Sequence, residues 1–249
     1  MMLYASLHFP ERLAGPVFAA LLQALPPPLR QEALRFHRWQ DQHAALLGKL
    51  LVKHLLLRCG YPADTLQSLY RDALGKPRLP LPVDFSISHA GTLVACALST
   101  SHRVGLDVEQ VQSYALEDFQ HFLRPDEQQL LAKAGMGWAF CELWTQKESF
   151  LKAKGVGLVS ALRLQDVYVQ AKGCRYQPAT GPSEQWYYFP LPTPAGYVAS
   201  LCTQVPGLRI ESVLTTVTTL LQEAEHNHLS TITSTRVSTQ CPDAIPSNC

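Results

Sequence analysis

The six residues Val104-Gly105-Leu106-Asp107-Val108-Glu109 constrain this chain more than any other stretch. Their apolar residues predict a buried strand, and side chains on a strand alternate between its faces. Asp107 and Glu109 therefore share one face, with apolar neighbours between them. Two carboxylates held together near apolar surface are costly unless a cation or a shared proton offsets their repulsion. A hard divalent cation such as Mg²⁺ suits those oxygens, and Mn²⁺ accepts them as well. The plainer reading is a solvated strand end carrying two harmless acids.

At 249 residues the chain has room for one large domain or two small ones. With 47% hydrophobic and 16% charged residues it reads as globular, which argues against wholesale disorder. A net charge of +1 and the lack of a long basic run leave no electrostatic footprint for nucleic acid or for an anionic membrane. Ala44–Leu57 is strongly apolar, but Lys49, Lys53 and His54 interrupt it, so no transmembrane span is expected. No signal peptide is expected at the N-terminus. Seven cysteines without a C-x-x-C pair read as reduced thiols of a cytoplasmic protein.

Strands are predicted at Leu3–Phe9, Phe85–Ser88, Thr92–Leu98, Val104–Val108, Val167–Val169, Trp186–Phe189 and Tyr197–Cys202. Helices are predicted at Gly15–Leu25 (stopped by Pro26, Pro27 and Pro28), within Leu29–Cys59, at Phe119–Ala134 and at Trp138–Ala153. Gly155 and Gly157 end the last of these. Residues 90–98 and 195–202 echo one another. That echo is either chance between two apolar strands or the mark of a duplicated α/β unit with a cleft between its halves. Beyond Ser212, Ser and Thr dominate. Thr215–Glu225 could be helical, and the residues after Asn227 lack the apolar periodicity to pack.

Three further segments carry chemistry. Trp144, Glu148 and Lys152 fall at successive turns of one helix face, either as a plain ion pair or as a base beside an oxyanion-binding cation. Ser88 and His89 precede Gly91, where backbone can approach a ligand. They offer phosphate-binding donors, or His89 is simply structural. Adjacent strand residues face opposite ways, which argues against a Ser88–His89 nucleophile and base. Gly75-Lys76-Pro77 is ordinary turn chemistry or a loop lysine for a phosphate.

Taken together, RFHRWQDQHAALLGKLL (35–51), GKPRLP (75–80), FSISHAG (85–91), VGLDVE (104–109), FLRPDE (122–127) and LWTQKESFLKAKGVGL (143–158) resemble the Sfp type of 4′-phosphopantetheinyl transferases. The resemblance covers about residues 30 to 205. It implies an α+β fold built as a pseudo-twofold duplicated α/β unit, with halves 1–103 and 104–211 and a cleft between them; the helix and Ser/Thr-rich tail at 212–249, expected to be largely disordered, has no counterpart in the resemblance. It also implies a monomer that moves the phosphopantetheine arm of coenzyme A onto a serine of an apo acyl or peptidyl carrier protein, as in fatty-acid or secondary-metabolite synthesis. Adenosine 3′,5′-bisphosphate would leave. By the same likeness Asp107, Glu109 and Glu127 would hold Mg²⁺, and Lys76, Ser88 and His89 would grip the adenosine 3′-phosphate region. Arg30 and Arg35 would add phosphate contacts, Glu148 would act as general base, and Lys152 would neutralise phosphate charge. Lys147 is aimed elsewhere by the helix turn. The stretch Tyr114, Leu116, Phe119, Phe122 and Leu123 is either core or a docking face for a carrier helix.

The sequence departs from that pattern at Ala44, where related chains often carry Arg, and in the lysine-poor run 26–32. Two other functions fit the same residues. One is a Mg²⁺-dependent phosphohydrolase using Asp107, Glu109 and Glu127. The other is a non-catalytic coenzyme A-binding module.

Overall fold

The computed structural model describes residues 1–156, 164–170, 173–178 and 181–226. In chain order they form β1 (Met2–His8), α1 (Gly15–Gln23), α2 (Pro27–Leu34), α3 (Trp39–Arg58), the short strands β2 (Tyr70–Arg71) and β3 (Pro77–Arg78), β4 (Asp84–Ala90), β5 (Leu93–Ser99), β6 (Gly105–Gln110), α4 (Leu116–Phe119), α5 (Pro125–Ala134) and α6 (Trp138–Lys154). Then follow β7 (Val167–Gln170), β8 (Gly173–Tyr176), β9 (Glu184–Pro190), β10 (Tyr197–Thr203) and β11 (Glu211–Ser212). Residues 217–226 close the described chain as α7. Among the described residues, no helix is long and apolar enough to cross a membrane.

The architecture is mixed α+β. One sheet runs β11-β1-β5-β4 and the other β6-β10-β9-β8-β7, each with an antiparallel strand trio at its heart. Period-two patterning sorts the strand faces into layers. Leu3, Ala5 and Leu7 of β1, with Val94, Cys96 and Leu98 of β5, pack against α3. Their alternates Met2, Tyr4, Leu93, Ala95 and Ala97 meet Val104, Leu106, Val108, Ala199 and Leu201 of the second sheet. The outer side of that sheet packs on α6 through Phe150, Trp186 and Cys202. The layers thus run α3, sheet, sheet, α6. In each half a strand, a long helix and a hairpin follow in that order: β1, α3, β4–β5, and β6, α6, β9–β10. The two echoing segments become the hairpins' second strands, β5 and β10.

Three expectations change. Phe119–Ala134 is not one helix. Pro125 has no N–H and forces Arg124 into an extended conformation (ψ 156°), so α4 stops at Phe119 and α5 starts at Pro125. β8 was not foreseen, because four residues opening on glycine give almost no alternation. Finally, the chain around and after Ser212 packs: β11 pairs parallel to β1, and α7, which matches the helix expected at Thr215–Glu225, places Leu220 (2% exposed) inside the core under α3. The expectations for Gly157 and for residues after Asn227 lie outside the described residues. Cys59, Cys96, Cys141, Cys174 and Cys202 are free thiols, all but Cys59 buried.

Candidate active site

Glycine at position 105 sets the geometry of this region. A Cβ there would overlap the Ser149 carbonyl oxygen and the Ala153 nitrogen, so only glycine lets the α6 backbone lie directly across β6. That crossing brings the polar face of α6 over the polar face of β6. Val104, Leu106 and Val108 point into the core between the sheets, while Asp107 and Glu109 take the opposite side, toward α6.

Asp107 is 4% exposed. Its Oδ1 accepts from Lys152 Nζ (2.6 Å) and from the Ser88 hydroxyl (2.8 Å). Its Oδ2 is buried without a partner. Lys152 Nζ also reaches Ser88 Oγ at 2.9 Å. Glu109 and Glu148 belong to the same electrostatic cluster. Burial pushes the Glu109 carboxyl up to about 7, helped by the Asp107 and Glu148 charges and opposed by Lys152. Burial, then Asp107, does the same to Glu148, again against Lys152. Three carboxylates thus share one ammonium, which leaves the site short of positive charge. As they stand, no three His, Cys, Asp or Glu side chains among the described residues are arranged to hold a metal ion. The position beside Asp107 Oδ1 is taken by the Lys152 ammonium.

His89 sits at the rim and is exposed. Partial desolvation of its ring and the nearby Lys152 charge lower its proton affinity, against the pull of Asp41 and Asp107.

Other expected residues lie elsewhere. Glu127 is not brought to the carboxylate cluster. It caps α5, its Oε2 accepting from the Arg124 N–H (2.8 Å), and pairs with Lys147 Nζ (2.9 Å). Lys147 is fully buried and also donates to Leu164 O (2.9 Å). Lys76 is 8% exposed at its side chain and pairs with Asp84 (2.9 Å), while donating to Val104 O (3.1 Å). Arg30 folds back on the end of α1, donating to Leu25 O (2.6 Å) and Gln23 O (2.9 Å). Arg35 is exposed at the C-cap of α2. Leu123 is fully buried and cannot meet a partner, whereas Tyr114, Phe119 and Phe122 form a half-buried aromatic cluster with Phe140 and Trp144. Sequence reading missed the roles of Asp84 and Ser86. The signal was the alternation Asp84, Ser86, Ser88, but a polar strand face ordinarily means solvent.

Comparison with known proteins places these elements in context. A family model described as the 4′-phosphopantetheinyl transferase superfamily matches residues 103–202, and one described as 4′-phosphopantetheinyl transferase, N-terminal, matches residues 14–101. The chain is 36% identical over 140 residues to the 4′-phosphopantetheinyl transferase Sfp of Bacillus subtilis (strain 168), covering 54% of this chain and 62% of that protein. It is 32% identical over 154 residues to the 4′-phosphopantetheinyl transferase gsp of Aneurinibacillus migulanus, covering 60% and 64%. It is 28% identical over 156 residues to the L-aminoadipate-semialdehyde dehydrogenase-phosphopantetheinyl transferase of Mus musculus, covering 55% and 50%. The chain thus spans less than two thirds of the length of these relatives.

Proposed function

The chain belongs to the 4′-phosphopantetheinyl transferase superfamily, of the Sfp type, and from that premise we propose that it transfers the 4′-phosphopantetheine arm of coenzyme A to a serine hydroxyl of an apo carrier protein. A new serine O–P bond forms, the diphosphate P–O bond breaks, and adenosine 3′,5′-bisphosphate leaves. The observation that carries this reading is the buried, unpartnered Asp107 Oδ2, with the Asp107 charge felt by both Glu109 and Glu148. That excess of carboxylate suits a divalent cation, Mg²⁺ or Mn²⁺, with coenzyme A phosphates filling its other positions. Asp107 and Glu109 would be its protein donors, and Glu127 drops out because Lys147 engages it. Once bound, the ion would neutralise charge on the diphosphate under attack.

The chain's own groups do the rest. Glu148, its proton affinity raised toward neutrality, takes the serine proton. Lys152 offsets charge on the diphosphate and the leaving group. His89 donates to a phosphate oxygen. Arg35 is exposed at the end of α2 and could meet a phosphate, while Lys76 and Arg30 act structurally. Leu116 and the exposed edges of the Tyr114–Phe119–Phe122 cluster offer an apolar landing for a carrier helix. The repeated strand, helix and hairpin order supports a duplicated unit with coenzyme A between its halves. The buried free thiols Cys96, Cys141, Cys174 and Cys202 suit a reducing compartment such as the cytoplasm.

The test is the mass of an apo carrier protein incubated with coenzyme A and Mg²⁺, with and without EDTA. Transfer adds one phosphopantetheine arm in the Mg²⁺ arm only. Nucleotide release without carrier modification would mark a phosphohydrolase instead, and neither product would leave only binding.

A further inference from the structure

β4 and β6 are edge strands of different sheets, and each has a side with no strand partner. The free N–H groups of β6 fall at every second residue. They are met by side chains from alternate residues of β4. Asp84 Oδ2 accepts from Val104 N–H (2.9 Å), Ser86 Oγ from Leu106 N–H (3.0 Å) and Ser88 Oγ from Val108 N–H (3.2 Å). A row of short oxygen-bearing side chains thus stands in for a backbone ladder and joins the two sheets.

The first rung is locked by Lys76 and Arg78, both paired with Asp84. The second touches Leu106 alone, through its N–H and, at 3.5 Å, its carbonyl. Only the third reaches the carboxylate cluster. A hydroxyl has one proton to give and two lone pairs to fill. Ser88 gives its proton to Asp107 Oδ1 and fills its lone pairs with Val108 N–H and Lys152 Nζ. It has nothing left for a phosphate. It also fixes which Asp107 oxygen is engaged, leaving Oδ2 as the one without a partner.

We propose that Ser88 is a positioning residue, which sets Asp107 and Lys152 from the opposite sheet, and that it is not a ligand of the substrate phosphate. This rests on the cation-dependent transfer reading above and deepens it.

The experiment compares Ser88→Ala with Ser86→Ala. Each removes one rung and leaves one N–H of β6 unmet, so both should lower the melting temperature by similar amounts. Only Ser88→Ala should lower kcat and raise the Mg²⁺ concentration for half-maximal rate, each by about tenfold or more, with the KM for coenzyme A unchanged within about twofold. Only Ser88→Ala should shrink the rise in melting temperature that Mg²⁺ alone gives, measured without coenzyme A or carrier. That second readout needs no transfer, so wild-type protein that shifts with Mg²⁺ yet modifies no carrier refutes the transfer reading and leaves this one standing. Wild-type protein that does not shift with Mg²⁺ overturns the proposal. So does a tenfold rise in the coenzyme A KM with the Mg²⁺ response intact, which would make Ser88 a phosphate ligand. Identical behaviour of the two variants would reduce Ser88 to a rung and also overturn it. Should Ser88→Ala not fold, Ser88→Cys keeps the volume and weakens the hydrogen bonds, and the same contrasts apply.

Discussion

At the scale of single residues, Asp107, Glu109, Glu148 and Lys152 work against one another unless a further positive charge arrives. Glu109 and Glu148 titrate near 7 in the folded chain, against 4.5 for a free side chain. Between those values the folded state holds protons that the unfolded state has released, so raising the pH through this window costs stability. In EDTA the melting temperature should therefore fall as pH rises from about 5 to about 8. Saturating Mg²⁺ should flatten that fall, because the bound ion replaces the protons. A melting temperature that rises over the same range in EDTA would contradict the assigned cluster. Glu148→Gln removes one of the competing charges and the proton acceptor together. It should slow transfer by roughly 10²–10⁴-fold while leaving the apo protein at least as stable near pH 8. The mass-shift assay and a thermal melt on one preparation check both halves of that expectation. The Asp107–Glu109 face was readable from strand alternation alone. The company of Glu148 was not, because it depends on how closely α6 crosses β6.

At the scale of elements, that crossing is written into Gly105, yet one glycine beside an acidic motif looks like any other glycine. Its meaning appears only when the α6 backbone is seen lying where a Cβ would be. Gly105→Ala should push α6 off β6 and abolish transfer, with a loss of about 1–3 kcal/mol or more in urea unfolding. The α5–α6 junction shows the opposite limit. Glu127 was legible as a helix start, because Pro125 fixes the first turn, but its partner was hidden. A lysine inside an apolar helix pattern does not announce which anion it meets. Lys147 ties α6 to the start of α5 and to the carbonyl of Leu164 just ahead of β7. Burial lowers its proton affinity, and Glu127 opposes that shift. Lys147→Met should cost about 3–5 kcal/mol, since it strands the buried Glu127 carboxylate. Adding Glu127→Gln should recover part of that loss, as urea titration of the single and double variants would show. A double variant less stable than Lys147→Met would break the pairing argument.

At the scale of the whole molecule, the sequence suggests two halves, and the packing between the sheets predicts that they unfold together. Two features join them. The first is the core between the sheets, where Met2, Tyr4 and Ala95 meet Leu106, Val108 and Leu201. The second is the return of the chain to its beginning: β11 pairs with β1, and Leu220 of α7 completes the core beneath α3. The segment 211–226 is too short and too polar for its burial to be read from periodicity. Its few apolar side chains matter because a distant surface already waits for them. Residues 1–103 alone lack both the second sheet and Leu220, so that fragment should show no cooperative melt. In the full chain, Trp39 reports on the first half and Trp186, fully buried against α6, on the second. In each of two variants that keep one of these tryptophans, the others changed to Phe, the fluorescence midpoint in urea should coincide with the midpoint seen by circular dichroism. Leu106 is fully buried in the core between the sheets, so Leu106→Ala should cost about 2–5 kcal/mol. It should also move both midpoints together, because the methyl groups it removes are held by both sheets. Fluorescence and circular dichroism midpoints that separate within either variant, or a Leu106→Ala shift seen by Trp186 and not by Trp39, would mean the halves fold as independent domains.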